Sequence, residues 1–152
     1  MTKNYNIREL AKTDFVHWSA MWGEYMQFYK TTCTQEVMEN TFDKLLSSDD
    51  TIGCYVACNE GGEPVGFLTY IAHFSTWRLN PVCYLNDLYV KQSHRQFGMA
   101  KGLVNQLKLK SEERNWSAVY WLTKPDNKTA RQFYDKVAAA SDWIMYSINL
   151  ST

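Results

Sequence analysis

The sequence predicts a mixed α/β fold, ordered as strand, two helices, three strands, helix, strand, helix, strand. Three observations carry that prediction. Apolar runs of strand length recur, with VCYLNDLYV at 82–90 the clearest. Stretches with apolar residues at helical spacing lie between them. No internal repeat or low-complexity linker interrupts the 152 residues, so one compact domain over 1–152 with a substantial core is expected.

Residues 5–10 read as a short strand, after which Thr13 or Asp14 can cap a helix over 15–29. Thr34 can cap a second helix, in which Val37, Thr41 and Leu45, and beside them Met38, Phe42 and Leu46, recur at helical spacing. Strands at 52–58 and 65–74 flank the turn Glu60, Gly61, Gly62, Glu63, which predicts an antiparallel hairpin. The strand at 82–90 leads through a polar turn into a helix over 98–114. There Met99, Ala100, Leu103, Val104 and Leu107 share a stripe, and Asn115 suits a left-handed exit. A strand over 116–123, a short helix with Ala130, Phe133, Tyr134 and Val137 on one face, and a last strand over 143–148 complete the order.

Composition narrows the function. Sixteen basic and sixteen acidic residues cancel, which removes the general attraction to phosphate backbones that nucleic-acid binding needs. No apolar run approaches a membrane span, and MTKNYNIREL lacks the apolar centre of a signal peptide, so a cytoplasmic protein without membrane partners is expected. Cys33, Cys54, Cys58 and Cys83 lack zinc-site spacing and read as buried reduced thiols; His17, His73 and His94 show no ligand spacing either, so no metal is expected. Six Trp and ten Tyr make the aromatic content high enough that some rings can line a site.

The turn YVKQSHRQFGMAKGL, 89–103, carries the chemistry. A helix N-terminus exposes unpaired N–H groups and a partial positive charge. Here no acidic or hydroxyl side chain stands ready to cap it, Arg95 adds charge, and Gly98 and Ala100 allow close approach, all of which suit a phosphate. Neither GxxxxGK[ST] nor GxGxxG is present, so the residues alone leave two readings open, an anion cradle and an ordinary strand-turn-helix.

Residues 90–103, as Val-x-x-x-x-Arg-x-x-Gly-x-Ala-x-x-Leu, with Asn127-x-x-Ala130-x-x-Phe133-Tyr134-x-Lys136 downstream, resemble the two signature segments of the GCN5-related N-acetyltransferases (GNAT). The strands YLNDLYV and VYWLT look like the branch holding the yeast histone and polyamine acetyltransferases and small bacterial relatives. This resemblance implies a mixed, mostly antiparallel sheet of six to seven strands with four helices, splayed between 82–90 and 116–123 and often bulged on the first of these. It also implies acetyl-CoA as cofactor. Leu88, Tyr89 and Val90 would line its pantetheine arm, Arg95, Gln96, Phe97, Gly98, Met99 and Ala100 would hold the pyrophosphate, Asn127 would bind the arm, and Tyr134 would lie near the sulfur.

The implied reaction is direct attack of an amine on the thioester in a ternary complex, with Tyr134 as general acid. By spacing alone, with Ala130 and Phe133 on the same face, Tyr134 reads as core. Where some relatives carry a catalytic glutamate this chain has Asn86, and strand alternation puts Asp87 on the opposite face. A water relay positioned by Tyr84 or Asn86 is therefore the expected proton path, while Cys83 has no neighbouring histidine to activate it as a nucleophile. Trp18, Trp22, Tyr25 and Tyr29 share one helix face. That stripe reads either as core or, through Trp22, Tyr25 and Tyr29, as a cation-binding lining for the acceptor, with Glu24 or Asp49 supplying charge. The functions in view are acetylation of a small amine such as a polyamine or amino acid, acetylation of a protein lysine or N-terminus, and a non-catalytic acyl-CoA-binding module. The resemblance and the apolar WIMYSI segment imply a homodimer.

Overall fold

The computed structural model describes residues 4–150, which fall into two compact units divided between Trp121 and Leu122. The first unit is a five-stranded sheet in sequential order, with β1 (Asn6–Glu9), β2 (Ile52–Cys58), β3 (Pro64–His73), β4 (Val82–Val90) and β5 (Val119–Tyr120). Neighbouring strands are antiparallel except β4 and β5, which are parallel. The β2–β3 hairpin closes where the Asn59 side-chain oxygen accepts from the N–H groups of Gly61 and Glu63, both at 3.0 Å.

Three helices cover the two sheet faces. Helix α1 (Phe15–Phe28) and helix α2 (Gln35–Leu45) build one core with the sheet from Trp18, Met21, Tyr25, Phe42, Val56 and Phe67. Helix α3 (Met99–Glu113) builds the other, in which Met99, Leu103 and Leu107 meet Leu68, Tyr70, Cys83 and Leu85. Helix boundaries follow local chemistry. The Thr34 Oγ1 accepts from the Val37 N–H at 3.1 Å to start α2. Asn115, at φ 57°, turns the chain out of α3. Before α1, the Asp14 carboxylate accepts two bonds from Arg8, at 2.7 and 2.9 Å, and one from the Ala11 N–H at 2.8 Å. The Trp18 indole N–H is buried without an acceptor among the described residues, a cost of about 1–3 kcal/mol. The ring outweighs it, since burying ~200 Å² at ~25 cal/mol/Å² contributes about 5 kcal/mol.

Four expectations need correction. The sheet has five strands rather than six or seven. The strand expected over 116–123 shrinks to Val119–Tyr120 because its ladder with β4 has two rungs, Cys83↔Val119 and Tyr84↔Tyr120. Residues 143–148 form no strand; the apolar segment lies exposed, and a strand needs a neighbour to satisfy its backbone. Cys33 is exposed, while Cys54, Cys58 and Cys83 are the buried free thiols expected. In the second unit, helix α4 (Lys128–Val137) follows Asn127 as its N-cap residue, with Ala130, Phe133 and Tyr134 half-buried.

Candidate active site

The register of β4 organises the site. Thr69 pairs with Asp87 and Tyr70 with Leu85, so Asn86 is an extra residue, a bulge. Before it, Cys83 and Leu85 face the α3 core; after it, Leu88 and Val90 do. The bulge swaps the strand's faces, and Asp87 and Tyr89 turn to the α1 side, where Tyr89 packs on Phe67 and Tyr25. The expected separation of Asn86 from Asp87 therefore fails. Asn86 Nδ2 donates to Asp87 Oδ2 at 3.0 Å, and Thr69 donates to the same oxygen through a short hydrogen bond. Asp87 is 9% exposed and Asn86 is exposed, so the pair links a buried carboxylate to the surface. Burial first, and the Asp87 charge second, push the neighbouring Tyr25 phenol far up, which keeps it a neutral donor.

Past the bulge, β4 runs on to Val90 while the β5 ladder has already ended at Tyr84↔Tyr120. The ladder stops there while β4 continues, and the backbone of Leu88, Tyr89 and Val90 has no ladder partner on the β5 side among the described residues. The Val90 side chain is buried, and Leu88 and Tyr89 are half-buried. Directly after β4, Gln92–His94 make a 3-10 turn, and α3 begins.

That start is left uncapped. Gly98 is the N-cap residue at φ 82°, no side chain bonds the first turn, and the turn contains no acid. Gln96, at φ 69°, is left-handed as well, so two of the three residues before the helix take this backbone. The N–H groups of Met99, Ala100 and Lys101 have no intrahelical acceptor. Met99 commits its side chain to the core and so offers only backbone, while Phe97 and Ala100 are half-buried. Arg95 and Gln96 are exposed. The Arg95 Nε donates to the Val90 carbonyl at 2.8 Å, and its guanidinium lies 5.7 Å from the Tyr89 ring centre, which holds the charge beside the turn. The Tyr5 hydroxyl donates to the Gly98 carbonyl at 3.0 Å and ties β1 to the same point.

The helix stripe behaves mainly as core. Trp18 and Tyr25 are buried, Trp22 stacks on Trp18 at 5.2 Å, and only Tyr29, 37% exposed, reaches the surface. Glu24 accepts from the Tyr89 hydroxyl at 2.6 Å; burial, with that bond adding, pushes the Tyr89 phenol up to about 12. Asp49 is occupied by the N–H and hydroxyl of Thr51 in its own turn. A cavity of about 190 Å³ is lined by Glu9, Leu46, Asp49, Gly53, Tyr70 and Lys110, with no lining residue from β4 or from the turn before α3.

In the second unit, Asn127 Nδ2 donates to Thr123 Oγ1 at 3.3 Å, and its backbone carbonyl accepts from Arg131 at 3.0 Å. Tyr134 is half-buried with its ring 5.5 Å from that of Phe133. Sequence reading missed one pair near the strand opening. His73 and Tyr120 are hydrogen bonded at 2.7 Å across 47 residues, a separation that no local pattern reveals.

Comparison with known proteins agrees with this geometry. Residues 9–139 match the model of the Acetyltransferase (GNAT) family. The D-amino-acid N-acetyltransferase HPA3 of Saccharomyces cerevisiae is 32% identical over 146 residues, covering 94% of this chain and 89% of its own. Among solved structures, the ribosomal-protein-alanine N-acetyltransferase of Brucella melitensis biovar Abortus 2308 superposes with a TM-score of 0.81 at 26% identity, over 97% of this chain and all of its own. The aminoglycoside acetyltransferase AAC(6')-Iy, solved with a bisubstrate analogue, has a TM-score of 0.82 at 18% identity, covering 97% of this chain and 99% of its own. An uncapped helix start behind a bulged strand that parts from its neighbour, in a chain matched along most of its length, shows that this protein belongs to the GNAT family of N-acetyltransferases.

Proposed function

We propose that this chain transfers acetyl from acetyl-CoA to the primary amine of a small molecule, by direct attack in a ternary complex. The observation that carries the reading is the succession along one strand: an extra residue at Asn86, a ladder that ends at Tyr84, and an uncapped, acid-free helix start after Val90. The residues fit the cofactor. The turn of Arg95, Gln96, Phe97, Gly98, Met99 and Ala100 supplies N–H groups and a cation for a pyrophosphate, and Leu88, Tyr89 and Val90 supply a strand edge for an amide-bearing arm. Asn127 holds that arm. Bound acetyl-CoA supplies the activated acetyl group.

The chain's own part is to bind, orient and move protons. Tyr134, a phenol and hence a donor at neutral pH, protonates the departing thiolate. Asp87 is occupied by Thr69 and Asn86, so it orients Asn86 rather than accepting a proton, and Asn86 holds a water at the surface end of the pair. Trp22, Tyr25 and Tyr29 flank the acceptor side, with the exposed Tyr29 face in contact with it. The yeast relative makes D-amino acids the first acceptors to try, ahead of L-amino acids and polyamines. The family match crosses the division between the two units, which supports a single acetyltransferase domain over 1–152. The exposed apolar run of Trp143, Ile144, Met145 and Tyr146 supports a homodimer, and the composition supports a cytoplasmic enzyme.

CoA release is the test, measured with D- and L-amino acids, spermidine and an alanine-start peptide. Turnover of a small amine well above the peptide is expected, and Tyr134→Phe should lower kcat by at least ~10²-fold while changing acetyl-CoA affinity little. Turnover of the peptide alone would replace the small-amine reading with protein acetylation; acetyl-CoA binding without turnover would leave a binding module.

A further inference from the structure

A hydrogen-bonded row of side chains stands at the last rung between β4 and β5. Along β3, Phe67 faces the α1 core while Leu68 and Tyr70 face α3, so alternation places Ile71 and His73 on the α1 side. There α1 no longer covers the sheet, and both residues are exposed. Register sets Tyr84 opposite Ile71 and Tyr120 beside Tyr84, and the two phenol rings stack at 5.0 Å. This row closes the last rung before β4 and β5 part.

His73 is oriented for one role. Its Nδ1 lies 2.9 Å from the Phe74 carbonyl, which only accepts, so Nδ1 carries the hydrogen and Nε2 carries the lone pair. Nε2 lies 2.7 Å from the Tyr120 hydroxyl, which therefore donates to it. Burial, and then the Cys83 thiol, raise the Tyr120 phenol, so it stays protonated at neutral pH. Tyr120 is 40% exposed, open both to a substrate and to this bond. Among the described residues, Tyr84 is the titratable neighbour on the same face, with Asp87 acting on it from further along β4, while Cys83, which burial pushes up to about 12, lies on the opposite face of the sheet.

We propose that Tyr120 and His73 remove the proton from the acceptor ammonium, Tyr120 as the catalytic residue that touches the amine and His73 as the positioning residue behind it. The ammonium N–H breaks as an O–H forms on Tyr120, and the phenol's original proton passes to His73 Nε2. The positive charge moves from the amine to an imidazolium at an exposed sheet edge, where the proton leaves to water. The neutral amine then attacks, Tyr134 gives its proton to the departing thiolate, and the second proton of the amine restores the Tyr134 phenol. This rests on the acetyltransferase reading above.

The test uses the full chain and the best amine of the CoA-release panel. His73→Gln keeps an oxygen that accepts from Tyr120 but takes no proton. It should lower kcat/KM by about 10- to 100-fold near neutral pH and abolish the acid limb of the pH profile. Tyr120→Phe should give a similar loss, and the double variant no more than either alone. In the wild type, the acid-limb midpoint should coincide with the His73 pKa read from its imidazole NMR signal, assigned by elimination with His17→Gln and His94→Gln. An unchanged acid limb in His73→Gln, or a wild-type limb that departs from the NMR value, overturns the relay while leaving acetyl transfer standing. A wild type that acetylates no amine overturns both.

Discussion

Replacing Gly98 with alanine separates backbone strain from steric room. A Cβ at this position would meet only the Tyr5 hydroxyl, at an ordinary 3.7 Å, so the methyl fits. The backbone does not, because φ is +82°. A residue with a Cβ costs about 1–2 kcal/mol in the left-handed region, partly offset by about 0.4–1 kcal/mol from the stiffer unfolded chain. The net loss is roughly 0.5–1.5 kcal/mol, and at roughly 2–4 °C per kcal/mol for a chain of this size the Tm falls by about 1–6 °C. Gly98→Asn should lose less, since asparagine tolerates this conformation. Circular-dichroism melts of the three proteins, alone and with acetyl-CoA, measure it. Both variants should also gain a smaller Tm increment from the cofactor, because any adjustment at residue 98 moves the N–H groups of Met99 and Ala100. A Gly98→Ala protein melting at or above the wild type, or a Gly98→Asn protein melting below Gly98→Ala, would refute the strain argument.

Two further outcomes follow from contacts away from the turn. The Asp14 carboxyl is held below the usual range: burial alone would raise it, but the Arg8 bonds and the Ala11 N–H together win. A depressed folded value gives stability that is complete above the unfolded pKa of about 4 and lost as pH falls through the folded one. Asp14→Ala should therefore cost about 1.5–3 kcal/mol in urea at pH 7, with the difference from wild type shrinking in strong acid; a constant difference across pH would count against the ion pair. At the C-terminal end, sedimentation should give twice the 17.8 kDa chain mass, and Trp143→Glu with Ile144→Glu should give the single mass. A wild-type monomer at micromolar concentration would sink the homodimer.

The legible elements were those whose residues hold their own instructions. Strands β2 and β4 begin and end where the apolar runs do, α2 starts at its threonine cap, and the exit from α3 follows Asn115. The uncapped start at Gly98 was readable as an absence of acids. What escaped depends on partners. Residues 116–123 look like a strand, yet only Val119 and Tyr120 have rungs, and rungs depend on a neighbouring strand that no local pattern specifies. The resemblance implied a bulge on β4, but nothing in YLNDLYV marks its place at Asn86, so the alternation argument carried Asp87 to the wrong face. His73 and Tyr120 come together only through the register of three strands.

The bulge has a consequence for how mutations in β4 act. Were Asn86 to take a regular place in the ladder instead of bulging, the two-residue rhythm of Cys83 and Leu85 would carry Asp87 and Tyr89 into the oily side against α3 and turn Leu88 and Val90 toward α1. The segment is thus a spliced text, its halves written for opposite readers, and Asn86 is the splice. The bulge absorbs the extra residue, so each half keeps its own apolar face against α3. Asn86→Ala should leave the architecture intact, and deleting that one position should straighten β4 into an unbroken ladder with Asp87 and Tyr89 still toward α1 and Leu88 and Val90 still toward α3.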